Sequence, residues 1–157
     1  ATQRDYPSWG DWIERGVTGL CEAWEVEARS HNHHMFGSID EWFYTHLAGV
    51  RPGAPGFDRV VFEPSVPDDL DAVDATVDTP RGPVGAAWDA RGDGVRFDLA
   101  VPANATGVAD LPGAVEALAG DPVDPGASPS TVGADEDGRG GRTTVELPPG
   151  EWTVETR

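Results

Sequence analysis

The sequence predicts an α+β chain in two parts: terminal helices of a helical assembly, followed by an antiparallel β-sandwich. Two observations carry this. The chain changes character near residue 50, because residues 1–50 hold eight of the thirteen aromatics and all four histidines. Beyond "GVRPGAPGF", residues 49–57, a Gly/Pro punctuation that ends a helix, the pattern becomes short β-like runs separated by turn signals. The expected division is therefore 1–50 and 51–157.

Within the first part, "SWGDWIERG", residues 8–16, reads as a helix with Ser8 as its cap and Gly16 as its stop. In "MFGSIDEWFYTHLAG", residues 35–49, Phe36, Ile39, Phe43 and Leu47 recur on one helical face. Gly49 stands where a helix end calls for positive φ. Ser38 and Glu41 have capping-box spacing, although a start near His33 fits equally. Two or three helices cannot bury so apolar a face alone, so this region reads as the end of a larger helical assembly. The opening "ATQRDYPSWGDW" has no initiator Met, which fits a piece of something longer.

In the second part, "RVVFEPSV", "LDAVDATVDT", "VGAAWDA", "GVRFDLAV", "TTVELPP" and "EWTVETR" read as strands, spaced by "TPRGP", "ARGDG" and "LPPGE". Such spacing points to a sandwich or barrel. Val60 and Phe62, with Val95, Phe97 and Leu99, are expected to point inward. The Pro-, Gly- and Asp-rich stretch near 112–141 reads as a long, mobile acidic loop, with one helical turn at Ala114–Leu118.

Composition excludes several roles. There are 28 acidic residues against 11 basic ones, every basic residue is Arg, and the net charge is −17. Such a surface repels phosphate backbones, so no nucleic-acid partner is expected. No apolar run approaches the length of a membrane span, so no membrane partner is expected. The missing Lys and the Asp excess fit the soluble cytoplasm of a salt-adapted organism, where salt screens carboxylate repulsion. The single Cys21 forms no internal disulfide or thiol metal cluster, and is expected to pack as a small apolar residue.

The densest chemistry lies in "SHNHHMFGSIDEWFY", residues 30–44, and in "TGLCEAWEVE", residues 18–27. Three readings of the histidines stand side by side. His31 and His33 alternate, and His33, His34, Glu22, Glu25 and Glu27 supply metal-ligand types, but no spacing is diagnostic of a metal and none is assigned. Asn32 and His33 at a helix start can serve structurally. The third reading is a sugar-facing site. Trp9, Trp12, Trp24 and Trp42 offer flat faces for sugar C–H groups, though each Trp is the better fit for core packing. Glycoside hydrolysis also needs opposed carboxyl groups, and composition alone does not choose among Glu22, Glu25 and Glu27.

The motifs Tyr6–Gly10, Thr18–Trp24, Ser30–Ile39 and Trp42–Gly49 together resemble the end of the catalytic domain of bacterial-type α-L-rhamnosidases, glycoside hydrolase family 78. The remaining chain is similar to that family's C-terminal β-sandwich. The resemblance covers nearly all of the sequence and is specific in the first 50 residues. It implies that residues 1–50 are the last helices of an (α/α)6 barrel. It also implies hydrolysis of terminal α-L-rhamnose with inversion and without cofactor.

By the same resemblance Glu22 is the general base, while Trp24, His33 and Asn32 belong to the sugar subsite. Glu25 and Glu27 are then merely solvated. The family's general acid lies upstream in the barrel. The partners implied are a rhamnose-containing glycoside and the remainder of the barrel, upstream or in another chain, and this chain alone is expected to be inactive. Two residues depart from the family pattern: Cys21 stands where Trp is usual, and Gly19 where Thr is usual. The competing reading is a non-catalytic carbohydrate-binding or subunit-interaction module.

Overall fold

The computed structural model describes residues 3–27, 30–135 and 141–157. The chain forms two compact units, Ala1–Trp42 and Phe43–Arg157. No described helix is long and apolar enough to cross a membrane.

In the first unit, α1 spans Trp9–Glu14. Its cap is the expected one: Ser8 Oγ accepts from the Asp11 N–H at 3.0 Å, and the same hydroxyl donates to the Gln3 carbonyl at 2.7 Å. Gly16, at φ +75°, ends the run, because only a residue without Cβ adopts that backbone freely. A 3₁₀ turn at His34–Ser38 leads into α2, Ile39–Trp42.

The second unit begins with a π-helical turn at Phe43–Leu47, in which the Ala48 N–H donates to the Phe43 carbonyl at 2.9 Å. Gly49 then leaves the helix at φ +74°. The helix expected over 35–49 therefore exists, but as 3₁₀, α and π pieces. Each change of hydrogen-bond step changes the rotation per residue, so the single face expected of Phe36, Ile39, Phe43 and Leu47 is not maintained. Phe43 is exposed, whereas Phe36, Ile39 and Leu47 are half-buried.

Ten strands follow among the described residues: β1 Val50–Pro52, β2 Arg59–Phe62, β3 Ala72–Thr79, β4 Gly82–Arg91, β5 Gly94–Val101, β6 Thr106–Pro112, β7 Val115–Pro122, β8 Ser130–Asp135, β9 Arg142–Leu147 and β10 Gly150–Thr156. They form two five-stranded sheets, ordered β1-β2-β6-β9-β8 and β3-β4-β5-β10-β7. Every pairing is antiparallel except β2 with β6. Parallel neighbours need a long crossover, and here β3, β4 and β5 provide it by building the opposite sheet.

One core joins the inner faces. Val60 and Phe62 (β2), Ala109 and Leu111 (β6), and Val145 and Leu147 (β9) meet Val84, Ala86 and Trp88 (β4), Phe97 and Leu99 (β5), and Trp152 and Val154 (β10). The inward set read from the sequence is borne out, with Val95 partly buried at its margin. The two indoles of this core keep their N–H groups bonded, as a buried donor requires. Trp88 donates to the Leu47 carbonyl and Trp152 to the Pro148 carbonyl, each at 2.8 Å.

The stretch near 112–141 departs from expectation. It contains β7 and β8, and Ala114–Leu118, expected as a helical turn, runs extended into β7. The physical reason is an available partner. β7 pairs along β10 from Val115↔Thr156 to Pro122↔Gly150, and that ladder overrides local composition. Gly120 passes close over Trp152, whose ring atom Cε3 would lie 2.5 Å from an added Cβ.

Candidate functional site

The first unit gathers the sequence-predicted residues around an aromatic cluster. Trp24 is its hub, with ring centroids 5.0 Å from Trp9, 5.0 Å from Trp12 and 4.4 Å from Phe36. Trp12 is buried, and its indole N–H donates to the Trp24 carbonyl at 2.8 Å. Much of the Trp24 ring thus packs against neighbours, the role expected of each Trp taken singly. Cys21 is fully buried, as expected of a small apolar residue.

Backbone pairing then brings two separate stretches together. The Glu22 N–H donates to the Ser30 carbonyl, and the His33 N–H to the Leu20 carbonyl, each at 2.9 Å. Glu22 and His33 are thereby carried on adjoining segments, both half-buried, with the neighbouring Asn32 exposed. The departure at Gly19 has a local reason: a Cβ there would stand 2.4 Å from the His31 carbonyl oxygen. In this backbone only glycine lets the two segments approach so closely.

His33 caps the 3₁₀ turn, its Nδ1 accepting from the Met35 N–H at 3.2 Å. A neutral ring whose Nδ1 accepts carries its proton on Nε2, which leaves an N–H donor for another group. The ring stacks on His34 at 5.1 Å with 7° between planes. The Asn32 backbone N–H donates to Ser30 Oγ at 3.2 Å, so its amide side chain is carried on a fixed turn. His31 bonds the Val26 carbonyl. Among the described residues, no group of three or more His, Cys, Asp or Glu is placed to hold a metal ion.

Glu25 was expected to be merely solvated. It is exposed, but it accepts a hydrogen bond from the Tyr6 hydroxyl at 2.9 Å. Its own backbone N–H and then the Tyr6 hydroxyl hold its carboxyl below the usual range, while Tyr6 is raised, chiefly by the same bond. Nothing in the spacing of two residues nineteen apart signals such a pair. A depressed folded-state pKa contributes stability above the unfolded pKa, and that contribution is lost as pH falls through the folded value. Replacing Tyr6 by Phe should therefore move the Glu25 titration upward in NMR. It should stop short of the ordinary carboxylate value, because the backbone donor remains. No movement would mean that the hydroxyl bond is absent in solution.

The chain thus carries a Trp-rich, partly helical first unit and an antiparallel-rich β-sandwich. Comparison with known proteins identifies the class. Residues 1–47 match the bacterial α-L-rhamnosidase six-hairpin glycosidase domain, and residues 49–123 match the bacterial α-L-rhamnosidase C-terminal domain. An α-L-rhamnosidase of Streptomyces avermitilis is 34% identical over 120 residues, covering 70% of this chain and 12% of that protein.

Two solved structures agree. The α-L-rhamnosidase of Dictyoglomus thermophilum aligns at TM-score 0.76 and 31% identity, over 99% of this chain and 18% of its own. The S. avermitilis α-L-rhamnosidase complexed with L-rhamnose aligns at TM-score 0.77 and 26% identity, over 99% and 15%. The chain belongs to the bacterial α-L-rhamnosidase family, of which it carries the end of the helical catalytic domain and the C-terminal β-sandwich. It spans about an eighth of the length of the curated relative named here.

Proposed function

We propose that this chain is the C-terminal portion of an inverting α-L-rhamnosidase that hydrolyses terminal α-L-rhamnose, and that residues 1–50 supply the general-base side of its pocket. Residues 51–157 are then the appended sandwich domain. The observation that supports the reading is the backbone pairing of Glu22 with Ser30 and of Leu20 with His33, which draws the two motif stretches together in the unit that holds the Trp24 cluster. The complex of one relative with L-rhamnose supports the choice of sugar.

In this reading the Glu22 carboxylate takes a proton from a water held against the anomeric carbon, opposite the leaving group. The water attacks as the glycosidic bond breaks, and inversion follows from that geometry. The Nε2–H of His33 donates to a rhamnose hydroxyl, the Asn32 amide bonds another, and the exposed part of the Trp24 ring face meets the sugar's C–H face. The leaving oxygen needs a proton from a second carboxyl group, roughly 6.5–9.5 Å from the first in inverting enzymes. The rest of the catalytic barrel provides it, upstream or in another chain. General-acid help is typically worth about 10²–10⁴-fold, so residues 1–157 alone are inactive.

The test is stereochemical. The assembled enzyme, given an α-L-rhamnoside and followed by proton NMR, should release β-L-rhamnose before mutarotation sets in. Release of the α-anomer would mean a retaining mechanism and would remove the base role from Glu22.

The surface belongs to the same proposal. Each described arginine has a carboxylate partner, yet the net charge of −17 leaves a large acidic surplus. Salt screens that surplus. The unfolding midpoint should therefore rise across a potassium chloride series, and full stability at low salt would argue against adaptation to a saline cytoplasm.

A further inference from the structure

The sandwich carries an open cleft of about 380 Å³ at the end of the β1-β2-β6-β9-β8 sheet next to the β9–β10 turn, lined by both polar and apolar groups. That is within the roughly 300–1,000 Å³ typical of small-molecule sites. Sheet register builds it. Arg59 of β2 stands opposite Thr106 of β6, and Glu146 of β9 stands opposite Ser130 of β8. The Arg59 guanidinium bridges to Glu146 at 3.2 Å. Ser128, from the β7–β8 connection, and Pro148 and Pro149, from the β9–β10 turn, complete the walls.

The donor set is specific in kind. Arg59 only donates, Glu146 only accepts, and three hydroxyls do either. Arg59 and Glu146 cancel in charge, so the cleft favours neither anion nor cation. The proline rings add an apolar wall beside the polar groups. A ligand that matches is uncharged, dense in hydroxyls, and apolar on one face. We infer that this cleft is a binding site for a neutral saccharide unit, a property of the sandwich that does not depend on the proposed rhamnosidase function.

The test is calorimetry on the full chain with a neutral rhamnosyl-glucose disaccharide as probe. A saturable event with Kd near about 1 mM is expected, in the weak-binding regime. Replacing Glu146 by Ala, which removes a charged acceptor, should weaken it roughly tenfold or more. Ser128→Tyr fills the cleft from a loop, outside the strand ladders, and should abolish the event while thermal melting stays unchanged. His33→Ala should leave it intact, which separates this binding site from the catalytic reading. The inference is overturned if no saturable event survives in His33→Ala, if Ser128→Tyr binds normally, or if sodium sulfate displaces the disaccharide, since that would make the cleft an anion site on Arg59.

Discussion

Glu22→Gln in the assembled enzyme should lower turnover by roughly 10²–10⁴-fold while KM changes little. The amide keeps the shape of the carboxylate and one acceptor oxygen, but has no charge with which to draw a proton from water. The loss therefore falls on the transition state and not on ground-state binding. Azide needs no deprotonation, so added azide should partly restore attack on an activated rhamnoside by entering the water's place. His33→Ala should differ in kind, raising KM as well, because a hydroxyl loses its donor. Glu25→Gln should be nearly silent, since Tyr6 still finds an amide oxygen. Steady-state kinetics decides the matter: a dead Glu25→Gln beside an active Glu22→Gln would move the base by three positions and end the assignment.

Phe62→Ala should destabilise the sandwich by about 3–5 kcal/mol, the usual cost of emptying a core aromatic site. Phe62 is fully buried. It lies on β2, opposite Val50 of β1 and Ala109 of β6, so its ring fills the junction where three strands meet the other sheet. The neighbours cannot close the space easily. Ala109 is already small, and Gly107 is already crowded, with Phe62 itself 3.3 Å from where a Cβ would stand. Val123→Ala, at a side chain 61% exposed, should stay within about 0.5 kcal/mol. Urea unfolding followed by far-ultraviolet circular dichroism measures both. A loss below about 1 kcal/mol for Phe62→Ala would show that the two sheets do not share one core.

The contrast between β2 and β6 shows why some strands were legible and others were not. "RVVF" announces itself through β-branched and aromatic residues. β6 is "TGVADLP", whose inward residues are Gly107, Ala109 and Leu111. Its central place needs small residues: a Cβ on Gly107 would come within 2.8 Å of Val101 and 3.2 Å of Leu147. Close approach of the sheets thus removes the signal by which a strand is recognised. β7 and β8 were hidden differently, in Pro-, Gly- and Asp-rich sequence whose extended state depends on β10 and β9 as templates.

The candidate site divides along the same line. The cap at Ser8 and the stops at Gly16 and Gly49 were readable because each is a local matter of one side chain or one φ angle. The approach of the 20–22 stretch to the 30–33 stretch was readable only as a resemblance. Its cause, Gly19 giving room to the His31 carbonyl, is a contact between backbones twelve residues apart. The Tyr6–Glu25 bond carried no signal at all.

By itself, then, the sequence determined the two-part α+β organisation, the helix ends, the strongly apolar inward alternation and the acidic surface, all properties of single residues or short periods. The tertiary structure decided the parallel β2–β6 pairing, the strands within 112–135, the broken helix of 34–47 and the company each carboxylate keeps. These are choices among partners distant in the chain. Their energies come from close packing and hydrogen-bond completion, which exist only once both partners are in place.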